Sequence, residues 1–168
     1  DQGDGGAQVI VGMNYITGTG VQADEPKGIR MLQAAAEQGH PVGQLYLAVS
    51  YEQGLGVPKD IDEALRLYRL SATQGNSDAI HALGNVYSNG KDVPKDDALA
   101  LKYFQQAADL GNLSGQYAVG LSYANGWGVP RDYAKAAEMY RLAADGGHAN
   151  AQMNLAVLYL HGRGVPKN

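Results

Sequence analysis

The chain of 168 residues contains no cysteine, one tryptophan and one phenylalanine, and only 18% of its residues are charged. The missing thiols exclude disulfides, thiolate metal sites and cysteine nucleophiles together, and leave the redox compartment open. No run of like charge occurs, because lysine and arginine are scattered as singles. A net charge of −4 with a pI near 5.5 argues against nucleic acid, which asks for a basic patch. No apolar stretch approaches the roughly 20 residues of a membrane-spanning helix, and no signal-peptide pattern is recognised. Nothing alternates with period two, so no sheet is expected. The opening Asp-Gln-Gly-Asp-Gly-Gly reads as a flexible lead-in, and Asp1 in place of Met is what a processed or trimmed terminus gives.

Glycine and tyrosine are plentiful, and they stand on ladders. Tyr15, Tyr51, Tyr87, Tyr123 and Tyr159 are each 36 residues apart, as are Gly18, Gly54, Gly90, Gly126 and Gly162. Gly39, Gly75, Gly111 and Gly147 mark the other end of each unit with the same step. A fixed period of this size means stacked repeats, each burying its apolar face only against its neighbours. The reading is one repeat domain over 1–168, with units at about 5–40, 41–76, 77–112, 113–148 and a partial 149–168.

One unit explains the others. Gly43, Leu47, Ala48 and Tyr51 form one stripe of a 3.6-residue helix. Gly54 ends that helix in the left-handed conformation that a residue without Cβ adopts cheaply. Asp60 is placed as the N-cap of a second helix, with Glu63 completing a capping box. The second helix carries Ala64, Leu67, Tyr68, Ser71 and Ala72, and Gly75 stops it. The fold class is therefore all-α: four helix-turn-helix pairs plus a ninth helix near 149–161.

These residues carry a resemblance. Ala-Asn-Ala-Gln-Met-Asn-Leu-Ala-Val-Leu-Tyr-Leu-His-Gly-Arg-Gly-Val-Pro-Lys at Ala149–Lys167 resembles the first half of a Sel1-like repeat. Lys-Ala-Ala-Glu-Met-Tyr-Arg-Leu-Ala-Ala-Asp-Gly-Gly at Lys135–Gly147 resembles its second half. That family is a branch of the tetratricopeptide superfamily, and the motif recurs in register after Gly6. Two positions depart from it: Asp92 stands where sister units have Gly20, Gly56, Gly128 and Gly164, and Gln22 replaces the loop proline. The disulfides of the family's secreted cysteine-rich branch are absent. The resemblance implies a right-handed α/α superhelical solenoid that binds other proteins as adaptor, assembly factor or inhibitor. It further implies a bacterial periplasmic or cell-envelope setting, with the cytoplasm as the alternative.

Catalytic candidates are weak, and no catalytic, cofactor-binding or metal residue is assigned. His40 and His148 share a slot with Asn76 and Asn112, which is the mark of a polar turn position. His81 and His161 lie in helices of the third and fifth units, too far apart to share a metal. Asp60, Asp96 and Asp132 each open a helix, where the free N–H groups and helix dipole explain a carboxylate. Gly-Leu-Gly and Gly-Trp-Gly follow no strand and precede no Lys-Ser/Thr, so they are turns and not phosphate loops. Asn112-Leu113-Ser114 has the spacing of a glycosylation acceptor.

Binding has better support. Opposite the core stripe, the first helices place residues that vary from unit to unit and are expected to line a concave surface. They are Leu45, Val49 and Glu52, then Asp78, His81, Asn85 and Ser88, then Tyr117 and Leu121, and finally Met153, Val157 and His161. Many are apolar, as are Val9, Met13 and Leu160 on the same side. Two readings stand: curvature buries part of this patch between neighbouring first helices, or it is a partner groove with Tyr117, His81 and Glu52 as polar anchors. Trp127, in a column with Thr19, Leu55, Lys91 and Arg163, is either an exposed edge hot spot or packs on an adjacent loop. The last unit stops at Asn168, where a second helix with an acidic N-cap should start. Leu158 and Leu160 give the ninth helix an apolar outer side, so truncation or self-association through it is expected.

The expected function is a non-enzymatic module binding a protein partner on its concave face, as adaptor or assembly scaffold, with no cofactor. The alternatives are a bacterial immunity protein that neutralises a secreted toxic effector and, behind it, a hydrolase with a site between helices.

Overall fold

The computed structural model describes residues 4–167. Among them are nine α-helices of 13 residues each and no strand. They are α1 Gly5–Thr17, α2 Glu25–Glu37, α3 Pro41–Gln53, α4 Ile61–Thr73, α5 Ser77–Asn89, α6 Asp97–Asp109, α7 Leu113–Asn125, α8 Tyr133–Asp145 and α9 Ala149–His161. They fall into two compact units, Asp1–Ala79 and Ile80–Asn168, with the division inside α5. In the first unit α1 packs on α2 and α3, α2 on α3, and α3 on α4. In the second, α6 packs on α7, α7 on α8, and α8 on α9.

Every helix is bracketed by the same chemistry. Asp24, Asp60, Asp96 and Asp132 cap the even-numbered helices, their carboxylates accepting from the amides of Lys27, Glu63, Leu99 and Lys135. The capping box read into Asp60 and Glu63 is only half formed. Asp60 N–H donates to the carbonyl of Tyr51 at 2.9 Å, and the Glu63 carboxylate instead takes two bonds from Arg66, at 2.6 and 2.7 Å. That guanidinium holds the Glu63 carboxyl below its ordinary range.

The odd-numbered helices are capped by Asp4, His40, Asn76, Asn112 and His148. His40 and His148 accept through Nδ1 from Gly43 and Ala151, as the Asn112 amide oxygen does from Gly115. The shared His/Asn slot is thus a cap, which also accounts for Asn112. The lead-in is shorter than expected, since Asp4 is a cap and Gly5 and Gly6 already belong to α1. Its first three residues lie outside the described ones.

Glycine sits where the backbone requires it. Gly18, Gly54, Gly126 and Gly162 close their helices at φ between +63° and +78°. Gly39, Gly75, Gly111 and Gly147 take the left-handed position of a Schellman turn. In the first of these, Gly39 N–H donates to Ala36 and His40 N–H to Ala35. Asp92 differs from its glycine sisters, because no non-glycine residue among those described has positive φ. Its loop therefore runs in another conformation.

The core follows the 36-residue register. Leu32, Tyr68, Phe104 and Tyr140 occupy one column of the second helices and all are buried. A Cβ on Gly84 would lie 2.4 Å from the Phe104 ring, and one on Gly120 2.5 Å from the Tyr140 ring. The large ring needs the missing side chain opposite it. The ladder tyrosines close the outside of each seam: Lys27 Nζ donates to Tyr15 at 2.8 Å, Tyr87 stacks on Tyr103, and Lys135 lies over Tyr123. Tyr159 is held by Arg141 of the helix before it, at 2.9 Å.

Candidate protein-binding surface

The expected binding residues differ widely in exposure. In the first unit Leu45 is buried and Val49 half-buried. Glu52 accepts from the hydroxyl of Tyr68 at 2.6 Å, so this carboxylate is anchored to the core. Burial, reinforced by Glu52, drives the Tyr68 hydroxyl far above the ordinary phenol range. Asp78 is exposed in the first turn of α5.

In the second unit His81 is half-buried with its ring 5.5 Å from Phe104, and Asn85 approaches its Nδ1 at 3.4 Å. Ser88 donates to the carbonyl of Asn85. Tyr117 stacks 4.6 Å from His148 and lies 5.7 Å from Tyr140, and its hydroxyl accepts from Asn154 at 3.3 Å. Leu121 packs half-buried on the same cluster. His161 is exposed, and so is Trp127, at 46%.

The column holding the expected face explains this. Val9, Leu45, His81, Tyr117 and Met153 are register equivalents. Val9 is 6% exposed and Met153 60%. In α1 and α7 this side of the helix meets the next first helix, whereas no first helix follows α9 among the described residues. Among the apolar residues of the expected face, Met153, Val157 and Leu160 are the exposed ones. Leu158, expected to point outward, is buried in the cluster formed with α7 and α8.

Two grooves result, joined at Val157. One, of about 230 Å³, runs between α7 and α9, with Leu121, Ala124, Asn154 and Val157 along it and Arg163 at its rim. The other, of about 570 Å³, is a shallow apolar depression on α9 lined by Met153, Ala156, Val157, Tyr159 and Leu160. Ala156 is exposed here and Tyr159 half-buried; among the described residues no helix follows α9, where α8 follows α7.

The Sel1 repeat family model matches residues 6–40, 41–76, 77–112, 113–148 and 149–168. The chain belongs to the Sel1 repeat family. It is similar to a Sel1 repeat protein from Oxalobacter formigenes, at 32% identity over 99% of this chain and 66% of that one, with a TM-score of 0.86. It is also similar to a protective antigen with the same repeat fold, present in uropathogenic Escherichia coli strains. That match has 33% identity, 98% and 35% coverage and a TM-score of 0.87. Cysteine-rich protein B of Helicobacter pylori shares the fold at 20% identity, 79% and 98% coverage and a TM-score of 0.65. The chain thus spans about two thirds and one third of the first two relatives. No curated protein matches it. The all-α repeat-solenoid class read from the ladders is that of the Sel1 family.

What these Sel1 helices can do chemically is bounded by their titratable groups. Burial pushes the Tyr140 hydroxyl up to about 12, partly offset by Asn154. Tyr68 and Tyr140 are therefore fixed as neutral donors near pH 7. Among the described residues no group of three or more His, Asp and Glu is placed to hold a metal ion, and no helix is long and apolar enough to cross a membrane. The His caps were missed in the sequence, although their alternation with Asn was the signal that could have found them.

Proposed function

We propose that this chain is a non-enzymatic protein-binding module, acting as adaptor or assembly scaffold, which takes its partner along the groove between α7 and α9. Sel1 repeat proteins generally mediate protein–protein interaction. The observation that carries the reading here is one groove in which apolar Leu121, Ala124, Val157 and Leu158 lie beside polar Asn125, Asn154 and Arg163. An apolar centre inside a polar rim is the anatomy of a protein interface. Trp127 supplies a separate exposed aromatic in the loop between α7 and α8, of the residue type that most often becomes a hot spot. We assign the module to the bacterial cell envelope, which the likeness to a protective antigen favours.

The test is an affinity capture from the native cell with wild type and Val157→Arg side by side. A partner retained by wild type and lost with Val157→Arg supports the groove, and equal retention overturns it. A captured partner whose toxic activity is abolished in the complex would mark the immunity role in place of the adaptor role.

A further inference from the structure

Helix α9 supplies Asn154, Val157 and Leu158 to one wall of the groove, and a histidine holds its first turn. His148 Nδ1 accepts from the backbone N–H of Ala151 at 3.2 Å, an amide it shares with the His148 carbonyl at 3.0 Å. A backbone N–H can only donate, so this contact requires Nδ1 to carry no proton. The same ring stacks on Tyr117 of α7 at 4.6 Å, and the Tyr117 hydroxyl accepts from Asn154 at 3.3 Å. One imidazole thus ties the start of α9 to the seam between α7 and α9.

The sister units use a different cap in this column. Asn112 accepts from Gly115 at 2.8 Å, and Asn76 from Asp78 and Ala79 at 3.1 and 3.3 Å. An amide oxygen keeps its lone pairs across the physiological range, whereas imidazole loses its acceptor on protonation.

The groups around His148 do not offset that charge. From α7 it meets the Tyr117 ring, and behind Tyr117 lies Tyr140 of α8, 5.7 Å away. Phenols supply no negative charge in the histidine range. Asp145, exposed at the end of α8, is the nearest carboxylate along the chain, and among the described residues it makes no ion pair with His148. The first turn of α9 has no acidic residue. His161, in the last turn, stands where positive charge is favourable, so its protonation works in the opposite direction. At His40 the surroundings differ: a Cβ on Gly6 would lie 3.7 Å from its Nε2 and 3.6 Å from the Asp4 carboxylate, which places a counter-charge near that ring.

We propose that His148 is an acid-released catch on α9, and through it a pH control on the groove between α7 and α9. Near neutral pH the uncharged ring caps the helix and stacks on Tyr117. A proton on Nδ1 sets two N–H groups against each other and puts positive charge at the positive end of the helix dipole. The ring turns out, the stack is lost, and the α9 wall loosens. The folded chain caps only with neutral His148, while the unfolded chain takes the proton freely. The contribution is therefore complete above the histidine range and begins to be lost as pH falls below about 6.5. The loosening of α9 stands on these contacts alone; that it releases a partner rests on the groove proposed above.

Amide hydrogen exchange on the 168-residue chain at about pH 7.5 and about pH 5, corrected for intrinsic rates, tests it alongside ¹⁵N NMR of the imidazoles. At the higher pH His148 should carry its proton on Nε2 alone, and at the lower pH on both nitrogens. Protection of the α9 amides should then fall about fivefold, the measure of one lost cap. His148→Asn installs the sister cap and should hold α9 equally at both pH values. His148→Ser, a second cap that does not titrate, should behave alike. An acid loss in α9 that survives both substitutions overturns the proposal, since another group would then cause it. So does a wild-type α9 equally protected at both pH values, and so does an Nδ1 already protonated at the higher pH. Equal partner retention by Val157→Arg would remove the groove reading and leave these results untouched.

Discussion

The backbone N–H of Asp132 donates to the carbonyl of Tyr123, nine residues earlier, at 2.9 Å. Asp24 with Tyr15, Asp60 with Tyr51 and Asp96 with Tyr87 repeat the bond at 2.9–3.0 Å. One residue thus does two things: its amide clasps the end of the first helix and its carboxylate caps the second. The tyrosine ladder and the aspartate ladder are two sides of one clasp. This fixes where each second helix starts relative to the first, whatever the loop between them contains.

Gly126, in that loop, holds a left-handed backbone position. Gly126 has φ +78°, and a Cβ there would make only ordinary contacts at 3.5 Å or more. The cost of Gly126→Val is therefore conformational, about 1–3 kcal/mol. From the sequence, Asp92→Gly looks neutral or mildly stabilising because it would relieve a strained aspartate. With no positive φ at Asp92 there is nothing to relieve. Glycine there should cost about 0.5–1 kcal/mol through the freer unfolded chain. Urea denaturation of both variants checks the pair, and a stabilised Asp92→Gly would contradict the loop conformation.

A buried amide without its partner marks a second site. Gln8 accepts from Gln38, and Gln44 from Gln74, both at a spacing of 30 residues. In the third unit the same two columns hold Ile80 and Leu110, so the polar pair is replaced whole. In the fourth the columns hold Gln116 and Gly146, and Gln116 Oε1 is buried with no hydrogen-bond partner. Leu113 fills the space that a side chain at 146 would need. Gln116→Ile should then raise stability by about 1 kcal/mol, as removal of an unsatisfied buried acceptor does. Thermal melting reads it, and a destabilised variant means that Oε1 is satisfied in solution.

Alkali offers a third measurement. The Tyr140 hydroxyl, raised by burial to about 12, keeps its proton in the folded chain when an unfolded phenol, near pH 10, has lost it. Above about pH 10 the unfolded state binds fewer protons than the folded one, so stability falls with rising pH. That contribution is complete below pH 10 and lost by about pH 12. Tyr140→Phe should shift the alkaline unfolding midpoint upward, because Phe104 shows that the column accepts the bare ring. Helicity followed by circular dichroism across an alkaline titration tests this. An unchanged midpoint would show that Tyr140 does not govern alkaline loss.

The ladders were legible because each is local chemistry repeated in register: a left-handed glycine, a capping aspartate, a ring at a seam. Four or five copies of each remove the ambiguity that one copy leaves. The binding face was harder to read for a geometric reason. The stripe of Gly43, Leu47, Ala48 and Tyr51 locates one packing direction, toward a second helix, but a first helix has neighbours on several sides. Whether Leu158 or Val157 is covered depends on how successive first helices lie against one another. The period does not encode that angle. Hence the stripe alone puts Leu158 outside, although its column holds the buried Ser50 and Ser122, and puts Leu45 in water, although it is buried. The His caps failed to stand out because imidazole is an uncommon cap, although Asn in the sister slots pointed to it.

The same geometry changes the experiment that separates scaffold from surface. From the sequence, replacing Tyr117 with Glu and Leu121 with Arg looks nearly free in stability, because both lie opposite the core stripe. The rings of Tyr140 and His148 against Tyr117, and the cluster around Leu121, reverse that expectation. Charges placed there lose the stacking and enter a half-buried seam, at a cost of about 2–4 kcal/mol. Val157→Arg, on the exposed side of α9, should move stability by no more than about 0.5 kcal/mol. Its effect should appear in partner affinity, since an unpaired charge would be buried at the centre of an apolar floor. Melting curves and partner binding on the two variants decide between the roles. If the Tyr117/Leu121 variant melts like wild type, the seam is not packed as described. If Val157→Arg binds the partner at wild-type strength, the groove is not the binding site and the Trp127 edge is the next face to test.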